Sequence, residues 1–255
     1  MAKKLCKILF VFILVAACVV SCKKNKTEPE PAANEPIDTA TYVDAWCRKY
    51  TEYIYLTDVQ ASVLNRVFVY AAFSKTPMAV KNNTYNISPV RPYALYVDGD
   101  EIDFSAQAFY KQLGSSNHSK RPVWEVSGDA DGIFTDFKYE TNTDLPGYKG
   151  WVDLPRDFSK NKELNITLRE YTHVNRIKVF LHSGNHPYRP SKSVNVTDKE
   201  TVVTFSPAEL ANLPVSTSGG FEIYFYNDET TAAGGKTVCF SNATIQIMNN
   251  VVIMN

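Results

Sequence analysis

After residue 40, apolar and polar side chains alternate with period two over most of the chain. Leu164, Ile166 and Leu168 alternate with Asn165, Thr167 and Arg169. Ile177, Val179 and Leu181 alternate with Arg176, Lys178 and His182, with Phe180 interrupting the polar row. Phe221, Ile223 and Phe225 alternate with Glu222, Tyr224 and Tyr226, and Ile133, Thr135, Phe137 and Tyr139 oppose Phe134, Asp136, Lys138 and Glu140. Each set gives one face to a core and the other to water, as antiparallel strands do. Residues 67–73 are apolar on both faces and read as a central strand.

The punctuation between these runs agrees. Asp98-Gly99 separates two strand-like segments by two residues that tolerate positive φ, which predicts a tight hairpin. Residues 128–132 offer a longer loop. One to three short helices are expected. In Phe205-Ser206-Pro207-Ala208-Glu209-Leu210, Ser206 caps, Pro207 takes the first helical position and Glu209 reaches back, while Phe205 packs on Leu210 and Pro214 stops the turn. Residues 105–113, closed by Gly114, form a second candidate. A third, 42–53, places Val43, Trp46 and Tyr50 at helical spacing, although its end reads equally as strand.

The fold class predicted is therefore mostly β, an antiparallel β-sandwich. Residues 142–150 hold a proline and two glycines and suggest a boundary. It divides an N-terminal β-rich domain over 41–145 from a C-terminal domain over 151–255. The latter has the size and strand number of an immunoglobulin-like sandwich without its Cys–Trp–Cys spacing. One large sandwich over 41–255 is the alternative.

The beginning of the chain is different in kind. Three lysines in the first seven residues precede an uncharged run of about 13 residues, short of the ~20 that span a bilayer core. The run ends in Val19-Val20-Ser21-Cys22, which resembles the lipobox of bacterial lipoproteins, Bacteroidota-type. The resemblance implies that 1–21 is a signal peptide and that Cys22 carries the lipid anchoring the chain to the outer membrane. Lys23, Lys24 and Lys26 follow where surface-exported lipoproteins of that phylum carry acids, which favours the periplasmic face over the cell surface. Asp38-Thr39-Ala40 looks like the O-glycosylation acceptor of the same phylum. Residues 22–40, with Pro29, Pro31 and Pro36 and scarcely a large apolar side chain, read as a solvated, flexible tether. The body resembles the β-sandwich envelope lipoproteins of the phylum in texture alone, so no functional residue is carried over.

Charge narrows the partners. The chain has 27 basic and 27 acidic residues, and loss of 1–21 removes three lysines and no acid, leaving 24 against 27. Nothing in that balance favours nucleic acid.

Candidate chemistry is thin. Cys47 and Cys239 are a possible disulfide outside the cytoplasm, or two separate buried thiols. His182 and His186 have metal-like spacing, but Gly184 and Pro187 put them on a strand end and loop, and no metal is expected. Asp129-Ala130-Asp131-Gly132 opens like a calcium loop without the later ligands, and a turn explains it. Asp98, Asp100, Glu101 and Asp103 cluster at the hairpin, where solvated turn carboxylates are expected rather than a glycosidase pair. No catalytic residue and no cofactor is predicted. The aromatics are the most suggestive feature. Trp124, Tyr224 and Tyr226, with Phe180, fall opposite the core-like residues of their strands and form candidate binding residues for a glycan or protein. Packing inside a second core is the competing explanation.

The function expected is thus a lipid-anchored, non-enzymatic envelope binding protein. The alternative is a structural or assembly component of adhesin or fimbrial-accessory type, using residues 246–253 as a free edge strand. A glycoside hydrolase stands third.

Overall fold

A computed structural model describes residues 41–55, 62–80, 87–105, 107–114, 121–142, 144–148, 154–196 and 199–255. The lipobox with Cys22, the tether, Asp38-Thr39-Ala40 and part of the expected boundary, with Trp151, lie outside the described residues.

The fold is mostly β and sandwich-like. Among the described residues one nine-stranded sheet dominates. Its order is β14 (Ser191–Asn195), β13 (Arg176–Ser183), β16 (Ser216–Ala233), β17 (Lys236–Met254), β1 (Thr41–Tyr55), β2 (Ser62–Val80), β6 (Ala108–Leu113) and β5 (Phe104–Ser105). β10 (Asp157–Ser159) lies along the far end of β17. The long strands pair antiparallel, except that β1 runs parallel to β17 from Ala45↔Val238 to Tyr55↔Met248.

Two separate layers cover one face of this sheet, here called the inner face. Over β1, β2 and β6 lies a four-stranded sheet in the order β4 (Asp100–Glu101), β3 (Pro92–Val97), β7 (Val123–Asp129) and β8 (Phe137–Glu140). Between them Ala45, Cys47, Val69, Phe73, Leu95, Trp124, Phe134 and Phe240 form one core. Over β13 and β16 lie the paired strands β11 (Leu164–Leu168) and β15 (Thr201–Phe205) with helix α1 (Pro207–Leu210). Ile166, Leu181, Phe205, Leu210, Phe221 and Ile253 form the second core there. Burying these side chains supplies the main stabilisation, roughly 1.5–3 kcal/mol for each large one.

β17 serves both cores, with Val238 and Phe240 in the first and Met248, Val251 and Ile253 in the second. Asn242, Thr244 and Gln246 lie between, on the same face and buried. A strict alternation would put Met248 and Val251 on opposite faces. Asn250 resolves this: it sits at φ 61, left out of the ladder between Asn249↔Gly220 and Val251↔Gly219. This bulge shifts the alternation by one residue and returns Val251 and Ile253 to the core. Opposite it, an added Cβ on Gly220 would stand 2.4 Å from the Met248 carbonyl oxygen, so the close approach requires glycine.

The described residues form one compact unit, and strands from both sides of 142–150 share the large sheet. What changes at that point is the covering layer. A short pair of strands, β9 (Gly147–Tyr148) and β12 (Tyr171–Thr172), bridges the place where the two layers meet.

Local expectations fare unevenly. The 97–100 hairpin turns at Asp98 (φ 55) and Gly99 (φ 86) as its sequence requires. The α1 capping box is complete: the Ser206 amide donates to Glu209 Oε2 at 2.7 Å and the Glu209 amide donates to Ser206 Oγ at 3.4 Å. Two expected helices are strands instead. In 105–113, Gln107 turns at φ 80 and β6 pairs with β2, whose edge would otherwise leave its amides and carbonyls without ladder partners. In 42–53, β1 lies between β2 and β17 and buries both faces, so apolar residues at every phase imitate a helical stripe. Residues 246–253 are no free edge. β16 flanks β17 on one side, with β1 and then β10 on the other.

Candidate functional site

The reverse, outer face of the large sheet carries the side chains that alternate with the cores. Register fixes who meets whom. Arg176 lies across from Tyr226, Lys178 from Tyr224 and Phe180 from Glu222. Tyr226 lies across from Ala243, and Ala243 from Tyr50. Tyr50 faces Phe68, and Arg48 faces Tyr70. Cross-strand neighbours on one face stand about 5 Å apart at Cβ, so long side chains here must stack or pair.

They do both. The Arg176 guanidinium sits 3.8 Å from the centre of the Tyr226 ring, and that of Arg48 sits 5.1 Å from it. Arg48 also lies 4.0 Å from the Trp46 ring centre. Tyr224 stacks on Tyr226 at 5.9 Å and meets Phe180 edge-on at 5.4 Å. Lys178 Nζ approaches the Phe180 ring to 4.7 Å. A second stack joins Tyr50 to Phe68 at 4.9 Å and Phe68 to Tyr110 at 6.1 Å. Guanidinium over an aromatic face is attractive by about 0.5–2 kcal/mol, more as water is removed.

Carboxylates tie the cations down. Asp228 Oδ2 accepts from Arg176 Nε at 2.8 Å and Nη2 at 2.5 Å, and its Oδ1 accepts from Ser241 Oγ. Glu222 pairs with Arg189. Burial first, then the Glu222 carboxylate, pushes the Tyr224 phenol well above its ordinary range. Burial and neighbouring Tyr110 push Tyr50 up to about 12. Both hydroxyls are therefore protonated donors at neutral pH.

The expected binding residues separate. Tyr224 is half-buried on the outer face. Tyr226 is on the same face, but its ring is fully covered and its hydroxyl has no hydrogen-bond partner. Trp124 is a correction: it points into the first core with no exposed surface, 5.9 Å from Phe240. Val126, two residues on, shares its face, and charged Glu125 takes the other side. That pairing is the signal in the sequence that points Trp124 inward.

The possible disulfide is a second correction. Cys47 and Cys239 are free and buried. Cys47 pairs with Phe240 on the inner face, whereas Cys239 pairs with Trp46 on the outer face, so the strands themselves separate the thiols. Burial holds both thiols protonated, Cys239 pushed up to about 12.

Asp98 is not a solvated turn carboxylate. Its Oδ2 accepts from Lys49 Nζ at 2.5 Å and its Oδ1 from the Val123 amide at 2.9 Å. Lys49 is 1% exposed and Asp98 11%. Glu101 and Asp103 are exposed. Asp129 folds its own loop, accepting from the amides of Phe134 (2.6 Å), Asp131 (2.9 Å) and Ile133 (3.3 Å). Burial works to raise its pKa, but these donors outweigh it and the carboxyl lies below its ordinary value. His182 is half-buried beside Gly220, and exposed His186 accepts from the Tyr188 amide. Among the described residues no group of three or more His, Cys, Asp or Glu is placed to hold a metal ion.

The outer-face partners Arg48, Arg176, Tyr50 and Phe68 were not singled out from the sequence. Their signal, polar or aromatic residues opposite a core-like row, is visible only once the register of β1 against β17 is known. No protein-family model matches the chain, and no curated protein matches it.

Proposed function

We propose that the chain is a lipid-anchored binding protein of the bacterial cell envelope, not an enzyme, engaging a glycan or a protein through the outer face of its large sheet. The lipobox at Val19–Cys22 supports the anchor, and the lysines after it support the periplasmic side of the outer membrane. The observation that carries the binding reading is the half-buried pair Phe180–Tyr224, backed by the covered ring of Tyr226 and flanked by Lys178, Arg176 and Arg189. Tyr and Arg are the residues enriched at recognition surfaces. Here strand pairing and stacking fix their rotamers in advance, so little side-chain entropy remains to be lost on binding.

The test is a glycan array and a crosslinking pull-down from envelope extracts, each run with wild type and with Tyr224→Ala and Phe180→Ala. A ligand captured by wild type and lost by both variants supports the reading. Capture unaffected by either substitution refutes it.

A further inference from the structure

Where the two covering layers meet, the inner face is polar instead of apolar, and a cleft of about 450 Å³ opens there. Tyr53 of β1 and Thr244 and Gln246 of β17 line it from the sheet, and Tyr148, Glu170 and Tyr171 line it from the other side. We infer that this cleft is a binding site for a neutral, hydroxyl-rich ring, a sugar residue, distinct from the outer face and independent of the reading given to it.

The first argument is size. Small-molecule sites occupy about 300–1,000 Å³ and combine apolar walls with a few convergent polar groups. The second is the walls. Tyr148 stacks on Phe225 at 4.4 Å, and Tyr171 lies 6.3 Å from the same ring, so core packing pins both. The Tyr171 hydroxyl is further fixed by Thr201 Oγ1 at 2.8 Å. Rigid aromatic faces of this kind suit the C–H face of a sugar ring.

The third argument is hydrogen-bonding sense. Gln246 is 3% exposed, and its Oε1 has no donor. A buried orphan acceptor destabilises the free protein, and a ligand that supplies the donor removes that penalty. Thr244 Oγ1 already donates to the Pro146 carbonyl, which leaves its lone pairs as acceptors toward the cleft. Glu170 adds a carboxylate, held by an unusual left-handed backbone at φ 56. Among the described residues no Lys, Arg or His lines the cleft, so no cation of theirs attracts an anion there. The site wants O–H donors on a ring that carries no negative charge.

The experiment uses the chain from residue 22 with Cys22→Ser, and ligand-observed NMR titrations with glucose, galactose, mannose, N-acetylglucosamine and, as a cationic probe, choline. Saturable binding of at least one sugar at about 1–10 mM is expected. Gln246→Leu should weaken it tenfold or more while melting at or above the wild-type temperature, because it removes an unsatisfied acceptor. A residue with a purely structural role would instead lower the melting temperature. Glu170→Gly, which suits the left-handed backbone, should also weaken binding without loss of stability. The titrations are run in the Tyr224→Ala background, so that a sugar held by the outer face does not contribute to the signal. Absence of binding by every sugar, binding unaltered in both cleft variants, or choline binding in place of sugar would overturn the assignment.

Discussion

The Lys49–Asp98 pair joins the large sheet to its first covering layer, and its energetics can be worked from the structure. At 2.5 Å and an effective dielectric constant of ~20, the attraction is about 7 kcal/mol. Desolvating each ion costs several kcal/mol, so the intact pair sits near balance. Removing one member is different. Asp98→Asn keeps an oxygen for the Val123 amide but removes the carboxylate charge that faces the Lys49 ammonium, which is 1% exposed. That should cost about 3–5 kcal/mol, or roughly 6–20 °C in Tm for a unit of this size. Lys49→Met should cost less, because Asp98 retains the amide and an edge open to water. The double variant should return to within about 1 kcal/mol of wild type. Urea unfolding of the residue-22 form with Cys22→Ser, followed by fluorescence of Trp124 in the adjoining core, measures all three at constant m-value. A loss below ~1 kcal/mol in Asp98→Asn, or a double variant as weak as the worse single one, would refute the reasoning.

Tyr226 offers a contrast between polar and apolar contributions. Its hydroxyl is buried without a partner, so Tyr226→Phe should be neutral or stabilising within about 1 kcal/mol, whereas Tyr226→Ala should lose about 3–5 kcal/mol. Both are read by the same urea melts. His182 is held below the ordinary histidine range by burial first, with Arg189 adding to the effect and Glu222 opposing it. Its unfolded form binds the proton more readily, so its contribution is present above about pH 6.5 and lost as pH falls through the folded value. His182→Gln should flatten the stability profile between pH 5 and about 7; an unchanged slope would exclude His182 as its source. Asp129 has its pKa lowered, so its contribution is present at neutral pH and lost as pH falls through the depressed folded value. Asp129→Ala should cost about 2–4 kcal/mol at pH 7 and nearly nothing extra in strong acid, a difference that acid titration of both proteins would show.

Much of the secondary structure is legible in the sequence because its causes are local. The alternation in 164–168, 177–181 and 221–225 follows from one buried face, and Asp98-Gly99 and Ser206–Glu209 follow from turn and cap chemistry. The failures share a different cause. β1 is a central strand because β17 pairs along its edge, and nothing within 42–53 encodes a neighbour so distant in sequence. The parity of Cys47 relative to Cys239 depends on the same register, so their separation onto opposite faces could not be read from spacing. Lys49 looks like an ordinary surface lysine until Asp98 is placed opposite it. The cleft is equally hidden: Asn242, Thr244 and Gln246 are polar residues in an alternating strand, and only the tertiary fold shows that they lie buried between two cores. Trp124 differs, since Glu125 and Val126 beside it carry a local signal for its inward direction.

The parallel pairing of β1 with β17 also constrains when the molecule can form. The Thr237 amide donates to Asp44 Oδ2 across 193 residues, and β1 has β17 as one of its two neighbours. Closing such a loop is entropically costly, and folding dominated by distant pairings is slow. Until β17 is available, β1 and β2 expose an unpaired, apolar edge. The first core then lacks Val238 and Phe240, and the second lacks Met248, Val251 and Ile253. Neither lobe is thus a self-sufficient early folding unit. The nascent chain stays loose until β17 has been delivered, and a truncation within β17 dismantles both lobes at once.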